Sequence, residues 1–330
     1  MKYRNLGNTG AKVSEIGFGT WTLALDWWGK KLEEEESIKM LKHAYDLGIN
    51  FFETADMYGK GKSEKLLAKA FKDMRNEVIY STKWGYDMYG ARQFGHGEIP
   101  QKHNPEFLDY ALSESLNRLE TDFVDVCSLH NPKMDAIQNN SLFDKLDELV
   151  KIGKIKSHGV ALGPAIGWEK EGLYAIENRN IVCLQTVYNI LEQDPGRVFF
   201  NAVNKKANSV GIMVRVPDAS GVLTGKVNEH TVFDKNDHRN NRKREWIIQA
   251  MKKIEKLKPI ADSHGWNITE LSMKYILSQK EISVLLPTVT SLEEIDLFAQ
   301  ISDGNYLNAD EKTQIEKMYE NNFDMPKLLA

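Results

Sequence analysis

Short apolar runs alternate with longer segments of helical periodicity along most of the chain. The short runs are rich in Val, Ile and Phe and end at polar or turn-forming residues, which predicts buried strands. These predicted strands are residues 16–18, 49–52, 78–81, 123–129, 155–160, 181–185, 211–215 and 282–286. The longer segments repeat apolar residues at helical spacing, which predicts amphipathic helices. These predicted helices are residues 34–47, 62–72, 105–119, 141–152, 168–177, 197–208, 243–263, 268–279 and 291–301.

The order of these elements predicts a closed barrel. Eight strand-then-helix units follow one another, and strands that alternate with helices pair in parallel. Eight units favour a (β/α)8 TIM barrel over a doubly wound open sheet. The open sheet is also disfavoured because no Gly-x-Gly-x-x-Gly turn follows an early strand. Turn residues Asn8-Thr9-Gly10 add an N-terminal β-hairpin, and residues 309–320 add an extra C-terminal helix.

The predicted barrel spans the whole chain. No linker interrupts the pattern, so residues 1–330 are expected to form a single domain. The longest irregular stretches, 84–104 and 216–241, both follow predicted strands. Loops that follow strands lie at the catalytic face of such a barrel. We therefore expect these two loops to cover a site.

Charge and composition argue against a nucleic-acid-binding or membrane protein. The formal net charge is −4 and both signs are scattered, which argues against a nucleic-acid partner. The basic run Asn241-Arg242-Lys243-Arg244 is interpreted as a solvated helix face. There is no apolar run of about 18 residues and no apolar signal core at the N-terminus, so no membrane association is expected. Cys127 and Cys183 lie in apolar runs without a disulfide framework, which favours a reducing, cytoplasmic location.

Polar side chains collect where the predicted strands end. Glu53 and Tyr58 follow the second strand, Lys83 follows the third, and His130 follows the fourth. A free tyrosine has a pKa of about 10, and a nearby ammonium group is expected to lower it. Glu53 would keep Lys83 charged and oriented, and His130 would hydrogen-bond a substrate oxygen. Such a set suits proton transfer to an oxygen that becomes negative. No metal-ligand motif is present.

Several motifs in order resemble those of the aldo-keto reductase family. The first is F-F-E-T-A-D-M-Y-G-K-G-K-S-E, followed by V-I-Y-S-T-K-W-G, by S-L-N-R-L-E-T-D-F-V-D-V-C-S-L-H-N-P, and by A-S-G-V-L-T-G-K. The resemblance runs from the hairpin to about residue 300. It implies hydride transfer from NAD(P)H to an aldehyde or ketone. In that reaction Tyr58 would protonate the developing alkoxide, Lys83 would tune Tyr58, and His130 would orient the carbonyl.

The catalytic acid departs from the family pattern. The family places aspartate five residues before the tyrosine, and this chain has Glu53. Glutamate keeps the charge and adds one methylene, so the ion pair with Lys83 is expected to survive. A shift of about 1 Å can nevertheless cost on the order of a hundredfold in rate. We expect Glu53→Asp to keep or raise activity.

The cofactor contacts depart further. The resemblance places the cofactor across the barrel mouth, without a Rossmann fold, along Thr20, Gln185, Arg215, Ser220, Gly221, Leu223, Thr288 and Glu294. Ala161-Leu162 replaces the family's Ser-Asn pair, and Arg215 replaces a stacking tyrosine. Arg215 is expected to stack on the nicotinamide or to pair with a substrate carboxylate. The family default is NADPH, but the segment after the last strand lacks the cation that meets its phosphate, so Thr288 and Glu294 favour NADH.

The substrate pocket is expected to be aromatic. Trp21, Trp27 and Trp84 are predicted to line it, whereas Trp28 and Tyr86 are either further walls or loop anchors. A small-molecule carbonyl compound is expected, with aldehydes, semialdehydes, sugars and ketones all open. The alternative is a reductase-like barrel that binds or regulates a partner, with weak or no catalysis. The sequence makes no prediction of oligomeric state.

Overall fold

The computed structural model describes residues 1–89, 99–207 and 209–326. The strands are β1 Tyr3–Asn5, β2 Lys12–Ser14, β3 Phe18–Gly19, β4 Phe51–Glu53, β5 Ile79–Trp84, β6 Val124–His130, β7 Ile155–Ala161, β8 Cys183–Val187, β9 Gly211–Arg215 and β10 Ile282–Leu286. The α-helices are α1 Trp21–Ala24, α2 Glu34–Asp46, α3 Lys62–Phe71, α4 Pro105–Leu119, α5 Met134–Gln138, α6 Asn140–Lys151, α7 Glu169–Asn178, α8 Gly196–Lys205, α9 Arg244–His264, α10 Ile268–Leu277, α11 Leu292–Ile301 and α12 Ala309–Glu320. Short 3-10 helices cover Lys72–Glu77, Val222–Thr224, His238–Asn241 and Asn322–Asp324.

Strands β3 to β10 form one parallel sheet in chain order. The sheet closes between its first and last strands, where Ile16 forms a parallel bridge with Leu285. The amide of Gly17 donates to the Leu285 carbonyl at 2.9 Å, and the Leu285 amide donates to the Glu15 carbonyl at 2.8 Å. The predicted (β/α)8 barrel is confirmed, and it removes both sheet edges.

The predicted hairpin is also present. Strands β1 and β2 pair antiparallel. Leu6 and Val13 are buried in one apolar cluster with strand residues Phe51, Met213 and Val284. The hairpin therefore covers the barrel at the end opposite the carboxyl ends of the strands. Its turn lies so close to the barrel that a Cβ on Gly7 would meet the Val182 carbonyl oxygen at 2.4 Å.

The helix limits lie close to those predicted, because local capping residues define them. Asn267 accepts from the amide of Glu270, and Glu270 accepts from the amide of Asn267, which forms a capping box at the start of α10. Asn308 and Glu311 form the same arrangement at α12, the predicted C-terminal helix. The short helices α1 and α5 were not predicted, since neither is long enough to show a helical repeat. Position 208 of the predicted helix 197–208 lies outside the described residues.

The two long loops follow strands, as expected. Residues 216–241 follow β9 and contribute to a cavity at the carboxyl ends of the strands. Of the loop 84–104, Tyr86 reaches the same cavity, and residues 90–98 lie outside the described part of the chain. No helix within the described residues has the length and apolar character needed to cross a membrane.

Candidate active site

Parallel strands place three of the four predicted catalytic side chains at one end of the barrel. Glu53 ends β4, Lys83 is the penultimate residue of β5, and His130 ends β6. Tyr58 follows β4 and lies between that strand and α3. All four line the carboxyl end of the sheet, so the structure brings together the set that the sequence predicted.

Lys83 is buried beside two oxygen acceptors. Its ammonium group donates to Glu53 Oε1 and, at 2.7 Å, to the Thr54 carbonyl. Burial lowers the pKa of Lys83, and the Glu53 carboxylate opposes this by favouring the charged form. The pair thus keeps a cation inside the barrel, where burial alone disfavours the charged form.

Glu53 also reaches across the barrel. Gln185 Nε2 on β8 donates to Glu53 Oε1 at 2.9 Å, and β4 and β8 lie on opposite sides of the eight-stranded sheet. The additional methylene of glutamate helps one carboxylate to serve both Lys83 and Gln185. The carbonyl oxygen of Gln185 is buried and has no hydrogen-bond partner in the described structure, so it is available to a ligand that donates.

Tyr58 and His130 stand together above this ion pair. The Lys83 ammonium lies 4.7 Å from the centroid of the Tyr58 ring. The Tyr58 and His130 rings meet edge to face with centroids 5.9 Å apart. His130 packs in the same way against Tyr86, at 5.1 Å. Three rings therefore surround the point where a carbonyl oxygen would accept hydrogen bonds.

The protonation states differ from one expectation. Burial raises the pKa of Tyr58, and the Glu53 carboxylate raises it further. The expected lowering of this pKa by Lys83 is thus not what the structure shows, because desolvation of a phenolate outweighs nearby positive charge. Tyr58 is a phenol at neutral pH and can donate its proton. Burial, followed by the charges of Lys83 and Arg215, holds the pKa of His130 well below its usual range, so His130 is a neutral imidazole.

A cavity of about 440 Å³ opens above these groups. Glu53, Tyr58 and His130 lie at its base, and the aromatic residues Trp21, Trp27, Trp28 and Tyr86 form much of its wall. Asn131 Nδ2 donates to the Tyr86 hydroxyl at 2.8 Å and holds that ring in place. The prediction for Trp21 and Trp27 agrees with this wall, and Trp28 and Tyr86 belong to it as well.

Trp84 does not line the cavity, contrary to the prediction. Its side chain is 1% exposed and packs against His103 and Phe107, with ring centroids 5.5 and 6.4 Å away. Successive side chains of a strand point to opposite faces. Because Lys83 points into the barrel, Trp84 points outward toward α4.

Arg242 brings positive charge to the predicted pyrophosphate segment. Its Nε donates to Ser220 Oγ at 3.0 Å, and its two terminal nitrogens pair with Glu192 at 2.7 and 2.9 Å. Arg242 and Asn241 both line the cavity. The interpretation of this basic run as a solvated face is therefore wrong for Arg242, whereas Asn241 is exposed. A local pattern did not reveal the position of Arg242, since it depends on the path of a long loop.

Asp218 lies inward beside the same segment. It is 2% exposed, and burial raises its pKa to about 6, although a hydrogen bond with Thr288 opposes the shift. Ser220 and Thr288 also line the cavity. A diphosphate placed here would meet the hydroxyl groups and Arg242, while a charged Asp218 would repel it.

Glu294 is already occupied by protein partners. Its Oε2 accepts from the Thr290 amide at 2.7 Å and from the Thr290 hydroxyl at 3.0 Å. Its Oε1 pairs with Lys226 at 2.7 Å. Lys226 belongs to the loop after β9, so a cation does reach this segment, contrary to the expectation drawn from the segment alone. Lys30 also donates to the Thr290 carbonyl, at 3.0 Å.

Three other predicted cofactor residues do not line the cavity. Thr20 is fully buried, and its hydroxyl donates to the Glu53 carbonyl at 2.9 Å. Leu223 is buried in the apolar core rather than at the cavity surface. Gly221 adopts a left-handed φ of 89°, next to Ser220, and shapes the turn without lining the cavity.

Comparison with known proteins agrees with this geometry. The model of the Aldo/keto reductase family matches residues 15–320. The aldo-keto reductase YhdN of Bacillus subtilis is 27% identical, over 99% of this chain and 96% of its own. A probable voltage-gated potassium channel subunit beta of Oryza sativa is 27% identical, over 89% of each chain. The holo form of an aldo-keto reductase from Bacillus halodurans superposes with a TM-score of 0.77 at 25% identity, over 96% of each chain. The chain, with its eight-stranded barrel and its Tyr58, Lys83 and His130 at one rim, belongs to the aldo/keto reductase family.

Proposed function

We propose that the protein is a carbonyl reductase that converts an aldehyde or ketone to an alcohol with NADH or NADPH. The observation that carries this proposal is the convergence of Glu53, Tyr58 and His130 at the base of one aromatic cavity, with the buried Lys83 paired to Glu53. A buried phenol beside a neutral imidazole and a paired ammonium is suited to donating a proton to an oxygen that becomes negative.

Each residue has a distinct task in this proposal. Gln185, Ser220 and Arg242 would hold a reduced nicotinamide dinucleotide, which would provide the hydride for the carbonyl carbon. Tyr58 gives its proton to the resulting alkoxide, and His130 hydrogen-bonds the carbonyl oxygen. Lys83 stabilises the phenolate that Tyr58 becomes, because its ammonium lies against the ring. Glu53 keeps Lys83 charged and oriented.

The cavity residues fit a nicotinamide dinucleotide. The unpartnered carbonyl oxygen of Gln185 can accept from the carboxamide that Ala161-Leu162 cannot bond. The guanidinium of Arg215 can stack on the ring. Ser220 and Arg242 can hold the pyrophosphate. We also propose a preference for NADH over NADPH. The negative charge of Glu294 supports this preference, whereas the positive charge of Lys226, which pairs with it, opposes it.

Cofactor binding is the first test. Purified protein is titrated with NADH and separately with NADPH, following nicotinamide fluorescence and tryptophan quenching. We expect binding of at least one cofactor, with NADH the tighter. Tighter NADPH would show that Lys226 or Lys30 meets the phosphate and would overturn the preference for NADH.

Tyr58→Phe tests the proton donor itself. The variant keeps the ring but has no proton to give, so carbonyl reduction should fall about a thousandfold while cofactor affinity barely changes. Reduction at the wild-type rate would remove Tyr58 from the mechanism.

A binding or regulatory barrel is the second candidate. Two similar proteins, from Oryza sativa and Arabidopsis thaliana, are described as probable voltage-gated potassium channel β subunits. This candidate gains support if neither cofactor binds. For either candidate function we propose a cytoplasmic location, because Cys127 and Cys183 are free, buried thiols and a reducing compartment keeps thiols in this state.

A further inference from the structure

Arg215 is the last residue of β9 and lines the cavity next to the catalytic group. Burial raises the pKa of Tyr58, and the charge of Arg215 opposes this rise. Burial lowers the pKa of His130 and of Lys83, and Arg215 adds to both shifts. Its guanidinium is therefore near enough to the reacting end of the cavity to act on whatever binds there.

The other cations around this cavity are paired. Lys83 pairs with Glu53, and Arg242 pairs with Glu192 at 2.7 Å. Arg215 has no such carboxylate: within the described residues it forms no ion pair. Its Nη1 donates a long hydrogen bond to the Leu162 carbonyl, at 3.3 Å.

A half-buried guanidinium with most of its donors unused is costly unless a ligand or water satisfies it. Its planar fork matches the two oxygens of a carboxylate. Trp21 and Trp27 line the same cavity, and an apolar surrounding strengthens a charge pair. The two acids at the cavity do not offset this charge, since Glu53 is bound to Lys83 and Asp218 lies at the Thr288 side.

We infer that the substrate is a carbonyl compound that also carries a carboxylate, and that Arg215 binds this carboxylate while Tyr58 and His130 hold the carbonyl. The inference rests on the proposed reductase function and specifies its substrate class. Two electrons arrive with the hydride at the carbonyl carbon, the C=O double bond becomes a C–O single bond, and the oxygen takes the Tyr58 proton. The nicotinamide is oxidised, and the carboxylate is unchanged. The product is a hydroxy acid that Arg215 still binds.

The test compares matched acids and esters. Malonic, succinic and glutaric semialdehyde are each assayed beside their methyl esters, which keep the carbon chain but lose the charge. For the acid of best length we expect kcat/KM about 10- to 100-fold above that of its ester, the range of a charge-assisted contact. In Arg215→Met this preference should disappear mainly through a higher KM for the acid relative to that for the ester. The ester, assayed on the same variant, is the internal reference, because any loss of cofactor stacking affects acid and ester alike and leaves their ratio unchanged.

Two further variants separate charge from side-chain volume. Arg215→Lys should restore part of the preference for the acid, because it returns the charge without the planar fork. Arg244→Met is the control, since Arg244 is exposed and donates to the Thr231 carbonyl at 2.7 Å; its acid preference should equal that of the wild type. An unchanged preference in Arg215→Met would overturn the inference.

Measurements of binding separate a failure of the carboxylate site from a failure of the reductase function. Titration of Arg215→Met with NADH should give an affinity close to that of the wild type, because Met keeps an apolar surface for the ring. If no aldehyde is reduced by any variant, the reductase proposal fails. In that case the fluorescence of the cavity tryptophans is followed while the hydroxy acid, and separately its methyl ester, is added. Tighter binding of the acid would support the carboxylate site at Arg215 without any catalysis. Equal binding of the two by the wild type would refute the carboxylate site.

Discussion

At the scale of single residues, the most informative position is the catalytic acid. Glu53 accepts from Lys83 and from Gln185, which lie on different strands. The sequence predicted the pair with Lys83 from residue order alone. It did not predict the contact across the barrel, because that contact depends on the length of the glutamate side chain and on the barrel diameter.

Charge and length at this position can be separated by two variants. Glu53→Gln keeps the length but leaves the Lys83 ammonium buried without a carboxylate, so we expect the free energy of unfolding to fall by about 3 kcal/mol. The pKa of Lys83 should fall further, and activity should be lost at a lower pH than in the wild type. Glu53→Asp keeps the charge and should retain activity. Urea unfolding and pH–rate profiles measure both effects; equal unfolding midpoints for Glu53→Gln and the wild type would contradict this account.

Asp218 gives a prediction with a defined sign in pH. Its folded-state pKa is about 6, above the ordinary value, so the unfolded chain loses its proton first as pH rises. The free energy of unfolding therefore falls as pH rises from the unfolded-state pKa to the folded-state pKa of Asp218. At higher pH the buried, charged carboxylate lowers it by about 3 kcal/mol. Asp218→Asn should be more stable than the wild type near pH 8 and similar near pH 4. Thermal unfolding of both proteins across this range measures the difference, and a difference independent of pH would count against it.

At the scale of elements, the loop between β9 and α9 contacts several other loops and helices at the carboxyl end of the barrel. The His238 amide donates to the Trp27 carbonyl at 2.7 Å. Arg242 pairs with Glu192 in the loop after β8, and Lys226 pairs with Glu294 at the start of α11. This single loop thus fixes the wall of the cavity on several sides.

The Lys226–Glu294 pair should control the choice between the two cofactors. Glu294→Gln removes the negative charge and frees Lys226, so NADPH affinity relative to NADH should rise about tenfold. Lys226→Met should lower NADPH affinity and leave NADH affinity unchanged. Fluorescence titration of both variants with both cofactors provides the ratios. Identical ratios in the wild type and the two variants would place the adenosine ribose elsewhere.

Much of the element order was predictable, since strand and helix periodicities are local properties of the sequence. The pairing of Arg242 with Glu192 was not, because it depends on how a long loop crosses the barrel. The placement of Trp84 is a different case. Alternation along β5 requires that Lys83 and Trp84 face opposite ways, so the sequence contained the signal that excludes Trp84 from the cavity.

At the scale of the whole molecule, Arg4 joins the hairpin to the barrel. Its Nη1 donates to the carbonyls of Gln279 and Ile282 at 2.7 and 2.9 Å, and its Nε pairs with Glu15 at 2.6 Å. The two carbonyls lie at the junction of α10 and β10, whereas Glu15 follows β2. One side chain therefore satisfies carbonyls far away in the sequence.

Loss of this side chain should affect stability more than chemistry. Arg4→Met leaves the two carbonyls and Glu15 Oε1 without their donor, which should lower the free energy of unfolding by about 3 kcal/mol. Activity per folded molecule should be unchanged, because Arg4 is at the opposite end of the barrel from Tyr58. Lys12→Met, on the exposed side of β2, is the control. Thermal unfolding and cofactor titration together test this; loss of cofactor binding by folded Arg4→Met would show that the two ends are coupled.

The closing bridge between Ile16 and Leu285 also sets an order of events during synthesis. The first barrel strand, β3, is made before the other barrel strands, and its second neighbour, β10, is the last of them to be made. Until then the growing sheet keeps open edges, which can pair with other chains. Synthesis of β10 therefore allows the barrel to close and removes the edges at which a partly made chain can pair with another.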